Sequence, residues 1–104
     1  MAYKLVLTNS FEKDLDEIIG YISNNLYNKT AARKLYREVK DKLKKVCEQP
    51  KMFPLRSEEE LLKDGYRSFA VGNYIVFYTA DSDKETVYAQ MMIYGYKDIE
   101  NLLR

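Results

Sequence analysis

The chain has 104 residues, with 17 Lys or Arg against 16 Asp or Glu, so its formal net charge is +1. That length accommodates one domain with a modest core, and an apolar fraction of 46% excludes a disordered chain. The balanced charge disfavours a nucleic-acid binder that needs a large basic surplus, but it leaves room for a local basic patch.

The cysteine and histidine counts narrow the chemistry further. Cys47 is the single cysteine, which excludes an internal disulfide and a thiolate metal cluster. The chain has no histidine, so the commonest general base, the usual nucleophile partner and the usual zinc ligand are missing. We therefore expect no metal and no cofactor. No secretory signal or membrane-spanning run is visible, which predicts a cytoplasmic protein.

The first half of the chain predicts a strand and a helical hairpin. Tyr3–Thr8 has the alternation of a short strand. Asn9 begins a capping-box pattern for a helix over Ser10–Leu26. A second helix is predicted from about Thr30 to Gln49, where Pro50 ends it. The apolar positions recur at helical spacing and predict the core faces: Phe11, Leu15, Ile18, Ile19, Ile22 and Leu26, then Ala32, Leu35, Tyr36, Val39, Leu43, Val46 and Cys47.

The second half predicts three strands joined by tight turns. Gly65–Tyr78 contains two of them, and Gly72-Asn73 supplies the residues that adopt positive φ in a short hairpin turn. The strand after this turn is apolar at successive positions, so it should be covered on both faces and lie inside the sheet. A last strand is predicted over Thr86–Tyr94 and a short helix over Lys97–Leu103.

Together these elements predict an α+β fold with the order β-α-α-β-β-β-(α), in one domain over residues 1–104. A helical hairpin should pack on one face of a small, mainly antiparallel sheet. The N-terminal strand should join that sheet, because a lone strand is unstable. One or two helical turns are predicted within Ser57–Asp64. The run of three glutamates, Glu58 to Glu60, is predicted to form a solvated face.

With this order, the chain resembles the RelE/ParE family of toxins from bacterial type II toxin–antitoxin modules. The resemblance covers nearly the whole chain. It is carried by Gly65-Tyr66-Arg67, by Asn73–Tyr78, by Ile93–Leu103 and by the Pro50-x-Met52 stretch. It implies a growth-inhibiting toxin, associated with plasmid stabilization, that a cognate antitoxin neutralises in a hetero-oligomeric complex.

The family divides by target. RelE-like members are ribosome-dependent endoribonucleases that cut mRNA, whereas ParE-like members poison DNA gyrase and are not nucleases. Nuclease members carry a cation where this chain has Ile75 and another where it has Phe69, and ParE-like members often carry His where it has Tyr94. These differences favour the ParE-like branch and a binding inhibitor over an enzyme. The alternatives are a RelE-like nuclease and a non-toxic, antitoxin-binding remnant.

Six residues are candidates for contacts with the target or the antitoxin: Arg56, Arg67, Tyr74, Tyr94, Tyr96 and Lys97. In the nuclease alternative the catalysts would be Arg67, Tyr94, Tyr96 and Lys97, with arginine stabilising the phosphate and tyrosine or lysine transferring protons. Each candidate also has a structural interpretation. Arg67 would form an ion pair with Asp98 or Glu100, Arg56 would lie in a solvated loop, and the tyrosines would pack beside the sheet with a wet hydroxyl.

Overall fold

The structure is a computed structural model that describes residues 2–95. Its strands are β1 Lys4–Leu7, β2 Arg67–Val71, β3 Tyr74–Asp81 and β4 Thr86–Tyr94. Its helices are α1 Asn9–Gly20, α2 Lys29–Glu48 and the short α3 Glu59–Lys63, and a π-helix over Tyr21–Asn25 continues α1. The terminal helix predicted over Lys97–Leu103 lies outside the described residues.

The four strands form one sheet in the order β1-β4-β3-β2. β1 runs parallel to β4, and the other two pairs are antiparallel. The chain between these two parallel strands includes the α1–α2 hairpin, α3, β2 and β3, so it is longer than the crossover that a parallel pair requires. The predicted α+β architecture is confirmed, with β1 at one edge of the sheet. None of the helices within residues 2–95 combines the length and apolar composition needed to cross a bilayer.

The core lies on both faces of β3. Residues 75–78 of this strand are all buried. Val76 and Tyr78 face the helical hairpin, whereas Ile75 and Phe77 pack with Leu61 of α3 on the other face. An interior strand with apolar residues at successive positions is the predicted arrangement, and it is confirmed. In the turn that precedes β3, Gly72 alone adopts the positive φ, at +57°.

The start of α1 differs from the prediction. Its cap is Thr8 rather than Asn9, because Thr8 already has extended backbone angles and its hydroxyl accepts a hydrogen bond from the backbone N–H of Phe11 at 3.1 Å. The same hydroxyl donates to the carbonyl of Gln90 at 3.1 Å. One residue therefore ends β1, begins the helix and ties both to β4.

Two apolar side chains assigned to the core faces are exposed instead. Leu26 is 55% exposed, because the wider π-helical turn over Tyr21–Asn25 breaks the 3.6-residue period that predicted its burial. The chain then reverses through Tyr27, whose φ is +50°. Tyr36 is 45% exposed and lies on the flank of α2 that faces β1.

Candidate functional site

Arg67 lies at the start of β2, in register with Tyr78 of β3. Its guanidinium Nη1 donates to the carbonyl of Phe53 at 2.6 Å, and the hydroxyl of Tyr78 donates to the carbonyl of Pro50 at 3.1 Å. Burial raises the pKa of Tyr78, and the cation of Arg67 partly opposes that rise. Both side chains thus hold the loop after α2 against the sheet. The alternative ion pair, with Asp98 or Glu100, falls on residues outside the described part.

Arg56 is engaged more extensively than a solvated loop residue, so that interpretation is wrong. Its guanidinium forms a two-pronged salt bridge with Glu58, with Nε 3.0 Å from Oε1, and its Nη1 donates to Ser68 Oγ at 3.0 Å. The guanidinium carbon lies 5.5 Å from the centroid of the Phe77 ring. Hydrogen bonding from Arg56 lowers the pKa of Glu58. Glu58 is therefore half-buried and paired, not part of a solvated acidic face.

Tyr74 and Tyr94 face each other across β3 and β4. Their ring centroids are 5.3 Å apart with an interplanar angle of 71°, an edge-to-face arrangement that aromatic pairs favour. Burial, and then the neighbouring Tyr94 and Tyr21, raise the pKa of Tyr74. Tyr21, Tyr74 and Tyr94 line one shallow cavity with Ile18 and Leu26. We call these three tyrosines the tyrosine patch.

The candidates do not converge on one point. Arg67 pairs with Tyr78 and Tyr94 pairs with Tyr74, so the two candidates lie four residues apart along β3, roughly 13 Å. Among the described residues, therefore, the candidates Arg67, Tyr74 and Tyr94 are not assembled around a single phosphate-sized site. Tyr96 and Lys97 lie outside the described residues, and their roles stay predictions.

Sequence reasoning missed a groove between the sheet edge and the second helix. Leu5 and Leu7 are each 39% exposed and line it together with Tyr36. Phe11, Val39 and Leu43 form its apolar floor, with Lys40 and Lys44 at the same groove. We call it the β1–α2 groove. One feature of the sequence could have indicated this groove. The apolar stripe of α2 is wider than a single core face needs, and Tyr36 lies at its margin.

Within residues 2–95, the outer edge of β1 is open at Leu5 and Leu7, whereas at Tyr3 the backbone N–H donates to the carbonyl of Cys47 at 2.7 Å. The backbone N–H groups of Lys4 and Thr8 donate to Glu85 and Ala89. Because direction alternates along a strand, those of Leu5 and Leu7 point away from β4. Such a row of unpaired groups is a template for an added strand.

Asp14 makes a contact with β4 that the sequence did not indicate. Its Oδ2 accepts a hydrogen bond from the backbone N–H of Met92 at 3.1 Å, on the side of β4 that continues past the end of β1. Gln90 is the extra residue of a β-bulge opposite Phe77 and Tyr78. The carboxylate thus satisfies a strand edge. Residues 2–95 contain no group of three acidic or cysteine side chains placed to hold a metal ion.

Comparison with known proteins agrees with this architecture. The solved toxin–antitoxin complex RelBE2 from Mycobacterium tuberculosis contains a chain that superposes with a TM-score of 0.64 at 18% identity, over 90% of this chain and 99% of that one. At that identity the likeness concerns the fold, and it confirms the RelE/ParE fold. No curated protein matches the chain. The family model described as the ParE toxin of the type II toxin–antitoxin system parDE matches residues 5–89. Because that match spans most of its length, the chain belongs to the ParE toxin family of type II toxin–antitoxin systems.

Proposed function

We propose that the protein is a toxin that inhibits DNA gyrase by binding it, and that a cognate antitoxin neutralises it. The observation that carries the choice of target is the burial of Phe69 and Ile75. They are 3% and 4% exposed and belong to the two apolar clusters on opposite faces of the sheet. Nuclease members of the family carry cations at these two positions. In this chain both positions hold apolar side chains that are buried in the core.

The placement of the candidate residues also supports binding over catalysis. Proton transfer and charge stabilisation require groups within hydrogen-bond reach of one reacting centre. Arg67 instead donates to the carbonyl of Phe53, and it pairs with β3 four residues away from the position where Tyr94 pairs with Tyr74. The raised pKa of Tyr74 further disfavours its ionised form. This placement fits residues that shape a binding surface better than residues that catalyse a reaction.

The tyrosine patch is the surface we assign to the target. Tyr21 and Tyr94 are 52% and 59% exposed, and Tyr74 lies between them. Tyrosine is enriched in the energetic centres of protein interfaces because a rigid ring offers both apolar area and a hydroxyl. The patch lies at the C-terminal end of β4, where the motif that carried the family resemblance begins.

The β1–α2 groove is the surface we assign to the antitoxin. Exposed leucines beside an open strand edge fit an extended segment that adds backbone hydrogen bonds to β1 and buries alternate side chains in the groove. This use differs from the tyrosine patch in position and chemistry. Neutralisation and target binding are therefore separable by mutation.

A supercoiling assay with purified gyrase tests the target. Wild-type protein should reduce supercoiling and accumulate cleaved DNA, and the double variant Tyr74→Ala/Tyr94→Ala should weaken this inhibition by roughly 10-fold or more, as loss of an interface centre does. Tyr27→Ala is the matched control, because Tyr27 is 89% exposed and lies outside the patch. Unchanged supercoiling with folded wild-type protein would refute the gyrase proposal.

A pulse of expression separates the two targets in cells. Labelled thymidine incorporation should fall before labelled methionine incorporation if gyrase is inhibited. An earlier fall in methionine incorporation, with cuts in translated messages, would instead establish the nuclease alternative. Growth unaffected by soluble, folded protein would identify a remnant that only binds an antitoxin.

Co-purification with the product of the adjacent small gene tests the antitoxin. Leu5→Asp and Leu7→Asp should abolish the complex, because each places a charge in the groove, on a side chain already 39% exposed and therefore tolerant of substitution. Tyr94→Asp is the control and should co-purify normally. Loss of binding in Tyr94→Asp with retention in the leucine variants would reverse the assignment of the two surfaces.

A further inference from the structure

We infer that one flank of α2 is a contact surface for the phosphate backbone of duplex DNA. Its members are exposed cations spaced by three or four residues along the helix: Lys29, Arg33, Arg37, Lys40 and Lys44. Residues at this spacing lie side by side on one face of a helix. We call this row the cationic stripe. It spans 15 helical rises, roughly 22 Å.

The helix α2 is much more basic than the chain as a whole. The helix carries eight basic and three acidic residues, whereas the full sequence has a net charge of +1. Within residues 2–95 the one salt bridge joins Arg56 to Glu58, so the stripe forms no ion pair there. Within the described part of the chain, therefore, no salt bridge offsets its charge.

The first cations of the stripe are unfavourably placed for the stability of their own helix. Lys29 opens α2 and no acidic residue lies in the first turn, although the N-terminal end of a helix favours anions. Lys29, Arg33 and Arg37 follow one another at four-residue spacing, where like charges repel. An external polyanion would relieve both unfavourable features.

The β1–α2 groove does not account for the stripe. Lys40 and Lys44 line that groove, but Lys29, Arg33 and Arg37 do not. Arg33, Arg37 and Lys40 instead border a second, smaller depression with Tyr36 and Asp41. The N-terminal half of the stripe therefore faces a different partner from the one that fills the groove.

The composition of this flank selects duplex DNA among the polyanions. Single-stranded nucleic acid is bound by stacking bases on aromatic rings, but Tyr36 is the one aromatic residue of α2, and Lys40 Nζ lies 5.4 Å from its ring centroid. Double-stranded RNA is recognised by its A-form shape and by contacts to 2′-hydroxyl groups as well as phosphates, whereas the five members of the stripe are all cations, which contact phosphates. A straight row of cations suits the regular phosphates of B-DNA.

Fluorescence anisotropy of a labelled 20-base-pair duplex, titrated with the full chain across a salt series, tests the inference. We expect sequence-independent binding with a dissociation constant of about 10⁻⁶ to 10⁻⁴ M at physiological salt, and tighter binding as the salt concentration falls. Arg33→Gln/Arg37→Gln should weaken binding at least ~10-fold and reduce the salt slope by about 2. Lys63→Gln/Lys84→Gln is the matched control: it removes the same charge from exposed positions outside α2 and should change binding less than ~2-fold.

Two further measurements decide the remaining outcomes. Arg33→Lys/Arg37→Lys keeps the charge and should bind DNA like the wild type, and thermal unfolding of every variant verifies the fold. Two results would overturn the inference. Equal losses of affinity in the two double glutamine variants would show that only the net charge matters, and an absence of binding at low salt would show that the stripe does not contact DNA. Tighter binding to duplex RNA, or to polyglutamate as a probe for an acidic protein segment, would overturn the choice of DNA.

Discussion

The two ends of the β2–β3 hairpin use polar side chains in opposite ways. At one end, Arg67 and Tyr78 hydrogen-bond to the carbonyl groups of Phe53 and Pro50. At the other, Tyr74 and Tyr94 pack on each other and Tyr94 remains 59% exposed. The first end stabilises a loop, whereas the second leaves aromatic area for a partner. A residue in a family motif can thus support the fold, so that motif membership alone does not distinguish contact residues from structural ones.

The largest expected difference between the two ends concerns their aromatic rings. Phe69→Ala should lower the free energy of unfolding by about 3–5 kcal/mol, because it empties a buried site between Phe53 and Tyr78, whose ring centroids lie 5.4 and 6.2 Å away. Tyr94→Ala should cost less than about 1 kcal/mol, since it removes one edge-to-face contact at the surface. Urea unfolding of both variants measures the contrast. Equal losses would show that the exposed end is also structural.

Arg67 is expected to come next. Arg67→Met keeps much of the side-chain length but removes the donor to Phe53, so we expect a loss of about 1.5–3 kcal/mol in the free energy of unfolding, the range for a hydrogen bond to a charged group. Gyrase inhibition per folded molecule should be unchanged. A variant of normal stability that no longer inhibits would place Arg67 in the target interface.

Tyr78→Phe should have a smaller effect. It retains the buried ring and removes the hydroxyl that donates to Pro50, which corresponds to about 0.5–1.5 kcal/mol for a neutral hydrogen bond. Chemical unfolding at neutral pH checks the size. If the variant matched the wild type, the carbonyl of Pro50 would have found another donor and the loop would depend on Arg67 alone.

Substitution of Glu58 should have the smallest effect on the free energy of unfolding, and this effect should depend on pH. The pKa of Glu58 in the folded protein lies below the ordinary 4.5, so its contribution to stability is present above about pH 4.5 and is lost as pH falls through the folded value. The side chain is 21% exposed, and we expect less than about 1 kcal/mol after solvent screening. Glu58→Gln should be less stable than the wild type at neutral pH, and the difference should shrink in acid. Glu59→Gln is the control, as it removes a neighbouring exposed charge without touching Arg56.

Much of the fold was predictable because local patterns and long-range packing agree. The strand over Thr86–Tyr94 coincides with β4, and the apolar run of β3 correctly indicated an interior strand with a core on each face. Cys47 is buried as its place on the α2 stripe predicted. Burial raises the pKa of its thiol, as expected for a core residue.

The candidate site was less predictable. The sequence drew attention to Arg56 and Arg67, but it contained no indication that Glu58, Ser68 and a backbone carbonyl would engage them. The open β1 edge was equally hidden, because a four-residue strand looks the same at an edge as inside a sheet.

The sequence by itself determined the element order, the faces of α2 and the central strand, because hydrophobic periodicity acts over one or two turns or a few strand residues. It also determined the concentration of positive charge on α2. Only the tertiary structure decided which end of the hairpin is hydrogen-bonded internally, which apolar residues remain exposed around the β1–α2 groove, and that the cationic stripe forms no salt bridge within the described part of the chain. Those outcomes depend on contacts between residues far apart in sequence, which no local pattern encodes.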